Sequence, residues 1–190
     1  ISKQINIIVT PQFLEITTDT AATLKVEVIN NSQQVDHFPL EVIGIPPEWI
    51  QLPEKLKLFP GKQQSREIRI LAPSRSTSVA AIYPIEVRTK GEDHATEYRE
   101  FAKADGQIKV KPFYRFDVEL HPKVLRVTNR ARLEIINRGN EATSYQFTPS
   151  DAEEALRFDF GPESDLVVPG GNSGLKSIRL IPKKRPIIGM

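Results

Sequence analysis

Apolar and polar residues alternate along most of this chain with a period of two. Within Thr23–Ile29, Leu24, Val26 and Val28 fall on one side and Lys25 and Glu27 on the other. That is the pattern of an antiparallel strand with one buried face. Asn6–Thr10, Phe13–Thr17, Phe38–Ile43, Trp49–Leu52, Lys55–Phe59, Ser65–Leu71 and Ala81–Thr89 carry similar apolar, largely β-branched runs, and Thr96–Val110 holds a further pair. Turn signals separate the runs, Asn30-Asn31-Ser32 after one and Pro60-Gly61 after another. Roughly seven to nine short strands, with a turn about every ten residues, predict a β-sandwich. The best helical signal is Ser150–Leu156, where Ser150 and Glu153 form a capping box. It predicts a turn or two of loop helix.

The chain also resembles itself. Pro11-Gln-Phe-Leu-Glu-Ile16 recurs as Pro122-Lys-Val-Leu-Arg-Val127, and Leu24–Asn30 recurs as Ala131–Asn137. Pro60-Gly61 leading to Ile68-Arg-Ile70 and Pro73 recurs as Pro169-Gly170 leading to Ile178-Arg-Leu180 and Pro182. Three blocks in one order predict two copies of one fold, residues 1–111 and 112–190, joined near Lys111-Pro112-Phe113. No Gly/Ser linker lies there, so a short, stiff connection is expected. In the first copy Tyr83 opens a strand soon after Pro73, whereas the same distance from Pro182 passes Met190. The second copy is therefore expected to be truncated at its C-terminal end, without two strands, and to leave core and edges exposed. A natural polypeptide continuing past Met190 is expected, and a start at Ile1 fits a piece of a longer protein.

Ile45-Pro-Pro-Glu-Trp49, Leu58-Phe-Pro60-Gly61, Ile68-Arg-Ile70, Pro73 and Tyr83-Pro-Ile-Glu-Val87 follow one another. In this order and spacing the chain resembles the NEW3/CARDB-like immunoglobulin-type repeats of bacterial and archaeal surface or membrane-associated multidomain proteins. The likeness covers about residues 5–110. Ala81 stands where the family pattern has Gly, and the second copy has no Trp at the equivalent place. The resemblance implies an all-β chain of two tandem immunoglobulin-like β-sandwiches with an accessory role at the cell surface or membrane. It carries no catalytic residues.

Composition narrows the chemistry. With 26 basic and 24 acidic residues interleaved, the chain has no basic stripe of the kind that neutralises phosphates, so nucleic acid is not an expected partner. Lys183-Lys184-Arg185 is short enough to be a solvated turn. Without cysteine there is neither a disulfide framework nor thiol chemistry. No apolar run reaches the ~20 residues of a membrane span, so membrane association would come only through parts outside this chain.

His37, His94 and His121 lie far apart without metal-ligand spacing, and nucleophile-elbow, phosphate-loop and zincin motifs are absent. An enzyme would need a pocket gathering one of these histidines with two carboxylates. Gly170-Gly171-Asn172-Ser173-Gly174 precedes an alternating run rather than a helix, and so reads as a wide turn. Asp151, Glu153, Glu154, Asp159, Glu163 and Asp165 form an acidic stretch without a calcium-loop pattern, which reads as a solvated face. Trp49 is expected to pack on the sandwich core or its edge, and Phe113, Tyr114 and Phe116 to form the contact between the copies; the alternative for these aromatics is a ligand contact, with a ligand groove at the join. The reading is a non-catalytic structural or protein-interaction module, a spacer or presenting repeat of a larger bacterial protein, with other protein modules as partners and no cofactor or metal. A carbohydrate-binding accessory domain of a polysaccharide-active enzyme is the alternative. Exposed aromatics would favour it, and a core Trp49 would count against it.

Overall fold

The computed structural model describes residues 4–95, 100–123, 129–162 and 165–183. The chain divides into two compact units. The first is Ile1–Ser74 with Ala80–Lys111, and the second is Pro112–Met190 with the loop Arg75–Val79.

In the first unit the alternating runs become β1 (Ile5–Thr10), β2 (Phe13–Ile16), β3 (Ala22–Asn30), β4 (Asp36–Phe38), β5 (Leu40–Ile43), β6 (Ile50–Gln51), β7 (Leu56–Leu58), β8 (Gln63–Ile70), β9 (Ile82–Thr89) and β10 (Ala102–Val110). One sheet runs β1-β3-β8-β6 and a second runs β2-β10-β9-β5, with β4 and β7 as a ribbon beside them. The run Phe38–Ile43 is thus two strands rather than one. Pro39 interrupts it, since it has no N–H to give to a ladder. The chain switches there from pairing with β7 to pairing with β9. Of the two runs expected in Thr96–Val110, the later is β10, and the earlier falls largely on residues 96–99, outside the described set. The apolar faces of both sheets meet in one core that includes Val26, Val28, Phe38, Ile68, Ile70, Val87 and Ile108. This is an immunoglobulin-like β-sandwich.

The second unit repeats the first sheet. Its strands are β11 (Phe116–His121), β12 (Arg130–Asn137), β13 (Thr143–Gln146), β14 (Leu156–Asp159), β15 (Asp165–Val168) and β16 (Ser173–Pro182). The sheet order is β11-β12-β16-β14, with β13 and β15 as the ribbon. These strands stand for β1, β3, β8, β6, β4 and β7 in turn. The register agrees as well: Ile7 faces Val28 and Val9 faces Val26, as Val118 faces Ile135 and Leu120 faces Leu133. The matched Pro11 and Pro122 both follow cis peptide bonds. The block Leu125–Val127 lies outside the described residues.

The turns refine the match. Lys62 N donates to Phe59 O at 3.1 Å, and Asn172 N donates to Pro169 O at 3.2 Å. The third residues of these turns are Gly61 and Gly171, with φ of 70° and 76°, a conformation that glycine adopts without the Cβ clash of other residues. Gly61 therefore corresponds to Gly171 rather than Gly170, one residue from the sequence alignment. The loop helix expected at Ser150–Leu156 is absent. The carboxylate of Asp151, not the hydroxyl of Ser150, accepts from the N–H groups of Glu153, Ala155 and Leu156, and Leu156 already opens β14.

An asparagine ends β3 and β12 alike. Asn30 Nδ2 donates to Gln34 O at 2.8 Å and Leu58 O at 3.1 Å, and its Oδ1 accepts from Ser32 N at 3.0 Å. Asn137 Nδ2 donates to Glu141 O and Val168 O, both at 2.9 Å, and its Oδ1 accepts from Gly139 N at 2.9 Å.

What differs is the covering layer. Among the described residues the second unit has no counterparts of β9 and β10. Ile5, Ile7 and Val9 are 5%, 9% and 4% exposed, whereas Phe116, Val118 and Leu120 at the same positions are 54%, 49% and 39% exposed. Twenty buried apolar residues form the core of the first unit, against Ala131, Ile135 and Val168 among the described residues of the second. An Ile7→Ala substitution is expected to cost about 2–4 kcal/mol, while Val118→Ala costs about 1 kcal/mol or less. Urea unfolding followed through Trp49, the single Trp, reads the first change, and amide hydrogen exchange along β11 and β12 reads the second.

Candidate functional site

Three constellations arise from how the strands are placed. The first is at the ribbon of the first unit. Asp36 opens β4 with no exposed surface. Its carboxylate accepts from the backbone N–H of His37 at 2.7 Å, Asp93 at 2.8 Å and His94 at 3.2 Å. His94 Nδ1 stands 3.3 Å from Asp36 Oδ2, and His37 Nδ1 stands 2.6 Å from Asp93 Oδ2. The fold therefore does gather two of the three histidines with two carboxylates, which their separation in sequence did not suggest. Burial alone would raise the pKa of Asp36, but the N–H groups of Asp93, His37 and His94 and the His94 imidazole outweigh it and hold the carboxyl below its ordinary range. All that hydrogen bonding fixes the segment around Asp93 and His94 onto β4. It is the bonding of an anchor, since two of its backbone donors, Asp93 and His94, come from the loop that it holds.

The second lies on the outward face of β11 and β12. Glu119 and Glu134 are register partners, and His121 is two residues along the same strand face. His121 Nε2 is 3.2 Å from Glu119 Oε2 and 3.9 Å from Glu134 Oε2. One ligand atom from each lies within 4.8 Å of the others, a separation that one divalent cation can bridge. The two glutamates are like charges set directly opposite one another, with the imidazole beside them. The spacing Glu119-x-His121 on an alternating run was readable in the sequence; Glu134 required the register. Nearby, His121, Pro122, Ala131, Asp159, Phe160 and Ile178 help wall a cleft of about 640 Å³.

The third is the inward face of the same sheet, where Phe116, Val118 and Leu120 stand open beside Ile135. The Phe116 ring meets Tyr145 edge-on with centroids 5.3 Å apart. Phe147 and Phe160 stack at 5.6 Å, and both are half-buried.

The remaining aromatics sort by environment. Trp49, held in the single-turn 3-10 helix Pro47–Trp49, is 4% exposed and packs edge-on against Tyr83 at 5.7 Å. It is a core residue, and its ring offers no platform for a sugar. Tyr98 lies outside the described residues. Phe113 N donates to Asn140 Oδ1 at 2.8 Å. Tyr114 is largely exposed; its hydroxyl donates to Glu141 Oε2 at 3.1 Å, and that carboxylate raises the phenol pKa. In the acidic stretch Asp151 caps its turn and Asp159 accepts from Gly161 N at 2.9 Å, while Glu163 is outside the described residues. Of Gly170–Gly174, expected as one wide turn, Gly170 and Gly171 sit in the four-residue turn Pro169–Asn172, while Ser173 and Gly174 already belong to β16. No helix of the described residues is long and apolar enough to cross a membrane.

No protein-family model and no curated protein matches the chain. Its fold is similar to parts of several solved structures. A family 123 glycoside hydrolase from Clostridium perfringens is 12% identical with a TM-score of 0.44, covering 57% of this chain and 27% of that one. Salmonella alpha-2-macroglobulin is 13% identical with a TM-score of 0.44, covering 83% of this chain and 9% of that one. A class 5 fimbriae chaperone is 12% identical with a TM-score of 0.36, covering 97% and 95%. This chain thus spans well under a third of the hydrolase and of the macroglobulin.

Asp36 carries a pH dependence. Its folded pKa lies below that of an unfolded Asp, near 3.9, so its contribution is complete above about pH 4 and is lost as pH falls through the folded-state value. Asp36→Asn puts an NH2 against N–H donors. It is expected to lower stability at pH 6 by about 2 kcal/mol and to reduce the loss seen on acidification. Urea midpoints at pH 6 and pH 3 check both effects.

Proposed function

We propose that this chain is a non-catalytic structural or protein-interaction module, a spacer or presenting repeat of a larger bacterial protein that works at the cell surface or membrane. We propose further that it belongs with the NEW3/CARDB-like repeats, on the order of its Trp49, Pro60-Gly61 and Tyr83 motifs. The observation that carries the interaction reading is the open apolar face of β11, where Phe116, Val118 and Leu120 are each more than a third exposed. A contiguous apolar face of this kind is one that a further layer covers, whether from this polypeptide or from a partner. β11 pairs with β12, and β12 with β16, in regular antiparallel register.

The histidine clusters fit the same reading. His37 and Asp93 are partly open to water, and Asp36 is occupied in holding backbone. The clefts walled by His121 and by Phe13, Pro84 and Gly106 do not include His37 or His94. Burial of Trp49 weighs against carbohydrate recognition through that ring.

The test is retention of the full chain on a panel of insoluble polysaccharides, together with fluorescence of a hydrophobic dye added to the native protein. No retention is expected, and dye binding at native conditions is expected to fall by about half or more in Val118→Gln/Leu120→Gln. Saturable retention on a polysaccharide, or dye binding indifferent to the double substitution, would overturn the reading.

A further inference from the structure

Among the described residues, one group of three metal-ligating side chains has its ligand atoms within 4.8 Å of one another: Glu119, His121 and Glu134. His121 has no ligand spacing to the other histidines in sequence. Its companions are carboxylates, one from its own strand and one from across the ladder. Glu119 and His121 share a strand face at i and i+2, and Glu134 is the register partner of Glu119. Pairing of β11 with β12, and of β12 with β16, sets the backbone beneath all three.

This is the solvent side of the sheet. In the first unit, where a second sheet closes the core, Ile8 at the position of Glu119 is still 50% exposed. Access to the group therefore does not depend on what covers the inward face. The repeat also shows what is particular to the second unit. The places of Glu119, His121 and Glu134 are taken in the first by Ile8, Thr10 and Glu27. The shared frame accounts for neither Glu119 nor His121. Instead it sets Glu119 directly against Glu134, an opposition of like charges that costs stability on a sheet. Arg132 is the register partner of His121, yet among the described residues the two glutamates form ion pairs with His121 alone. Both carboxylates keep oxygens open to water, with side chains 53% and 31% exposed.

We propose that Glu119, His121 and Glu134 bind a divalent transition-metal ion of the zinc class. Ligand atoms about 2.0–2.2 Å from a tetrahedral ion stand roughly 3.3–3.6 Å from one another. The separations of 3.2 and 3.9 Å from His121 Nε2 bracket that range, so side-chain rotation brings the set onto one ion without moving a strand. One imidazole nitrogen with two carboxylate oxygens suits zinc and its neighbours, whereas calcium takes about six to eight oxygens and magnesium keeps most of its water. Three protein ligands leave a further position to water or to a donor from outside the chain. A bound ion ties the edge strand β11 to β12 and removes the cost of the opposed glutamates.

The test is calorimetric titration of ZnCl2 into the full chain, free of any purification tag. One saturable equivalent is expected. His121→Asn and Glu134→Gln should each weaken binding about tenfold or more, with circular dichroism confirming that both variants keep their strands. Glu27→Gln, at the place of Glu134 in the first unit, and His37→Asn, at the other short histidine–carboxylate contact, should leave it unchanged. CaCl2 should bind at least about tenfold more weakly than ZnCl2. Absence of saturable zinc binding overturns the proposal, as does binding that survives His121→Asn or Glu134→Gln at full strength. Loss of binding in His37→Asn would move the ion to the first unit, and calcium binding as tight as zinc would remove the imidazole from the ligand set; either result overturns it as well.

Discussion

A buried asparagine at the end of one strand holds each unit together. Asn30 and Asn137 are almost wholly enclosed, a place where an amide is costly unless its donors and acceptor are used. They are used fully. Each side chain bonds the carbonyl four residues on, the last carbonyl of the neighbouring ribbon strand, and an N–H two residues on. Each backbone joins in as well: Asn30 N donates to Lys62 O and Asn137 N to Asn172 O, while Gly61 N and Gly171 N donate back to the two asparagine carbonyls. One residue thus fixes the strand end, the turn after it, the ribbon and the glycine turn that starts the next strand. Leucine at either place would strand these carbonyls, and aspartate would lose the two donors.

That junction decides where the other elements can lie. With β3 fixed to the ribbon, β1 and β8 take their register from its alternation, and the inward positions are set for the whole sheet. The outward positions of β11 and β12 then bring Glu119, His121 and Glu134 together, while the inward ones present Phe116, Val118 and Leu120. At the far side of the first unit's ribbon, Asp36 performs a related task with a carboxylate, taking one backbone N–H from its neighbour His37 and two from Asp93 and His94, in a loop distant in sequence. Both devices meet backbone polar groups that the short strands leave unpaired.

Much of this was legible in the chain, because a strand with one buried face writes its period directly into its residues. Leu24, Val26 and Val28 announce β3, and the Leu24–Asn30 and Ala131–Asn137 blocks announce the repeat. The recurrence of Asn30 and Asn137 at the ends of those blocks was a usable signal that passed as a turn. Other features depend on information the period does not hold. Pro39 divides a continuous apolar run because its missing N–H matters only once a ladder partner is chosen. The loop at Ser150 follows a carboxylate that competes with helix for the same N–H groups. Glu134 joins His121 only through cross-strand register, and Asp36 meets Asp93 and His94 only through the closure of a long loop. Trp49, by contrast, sat where its proline-rich approach placed it, against the core.

The two units also separate two contributions that are usually found together. In the first, the asparagine junction and the second apolar sheet occur side by side, and either could be credited with positioning the strands. In the second, β9 and β10 have no counterparts among the described residues, yet the junction bonds keep nearly the same lengths and partners, and β11, β12 and β16 keep the same order. The polar framework is therefore built the same way in both units, from strand ends and turns. The cover contributes the burial of Ile5, Ile7 and Val9, which is a matter of apolar area and carries little directional information of its own. The first unit shows a directional frame and a non-directional face acting together, and the described residues of the second show the same frame again.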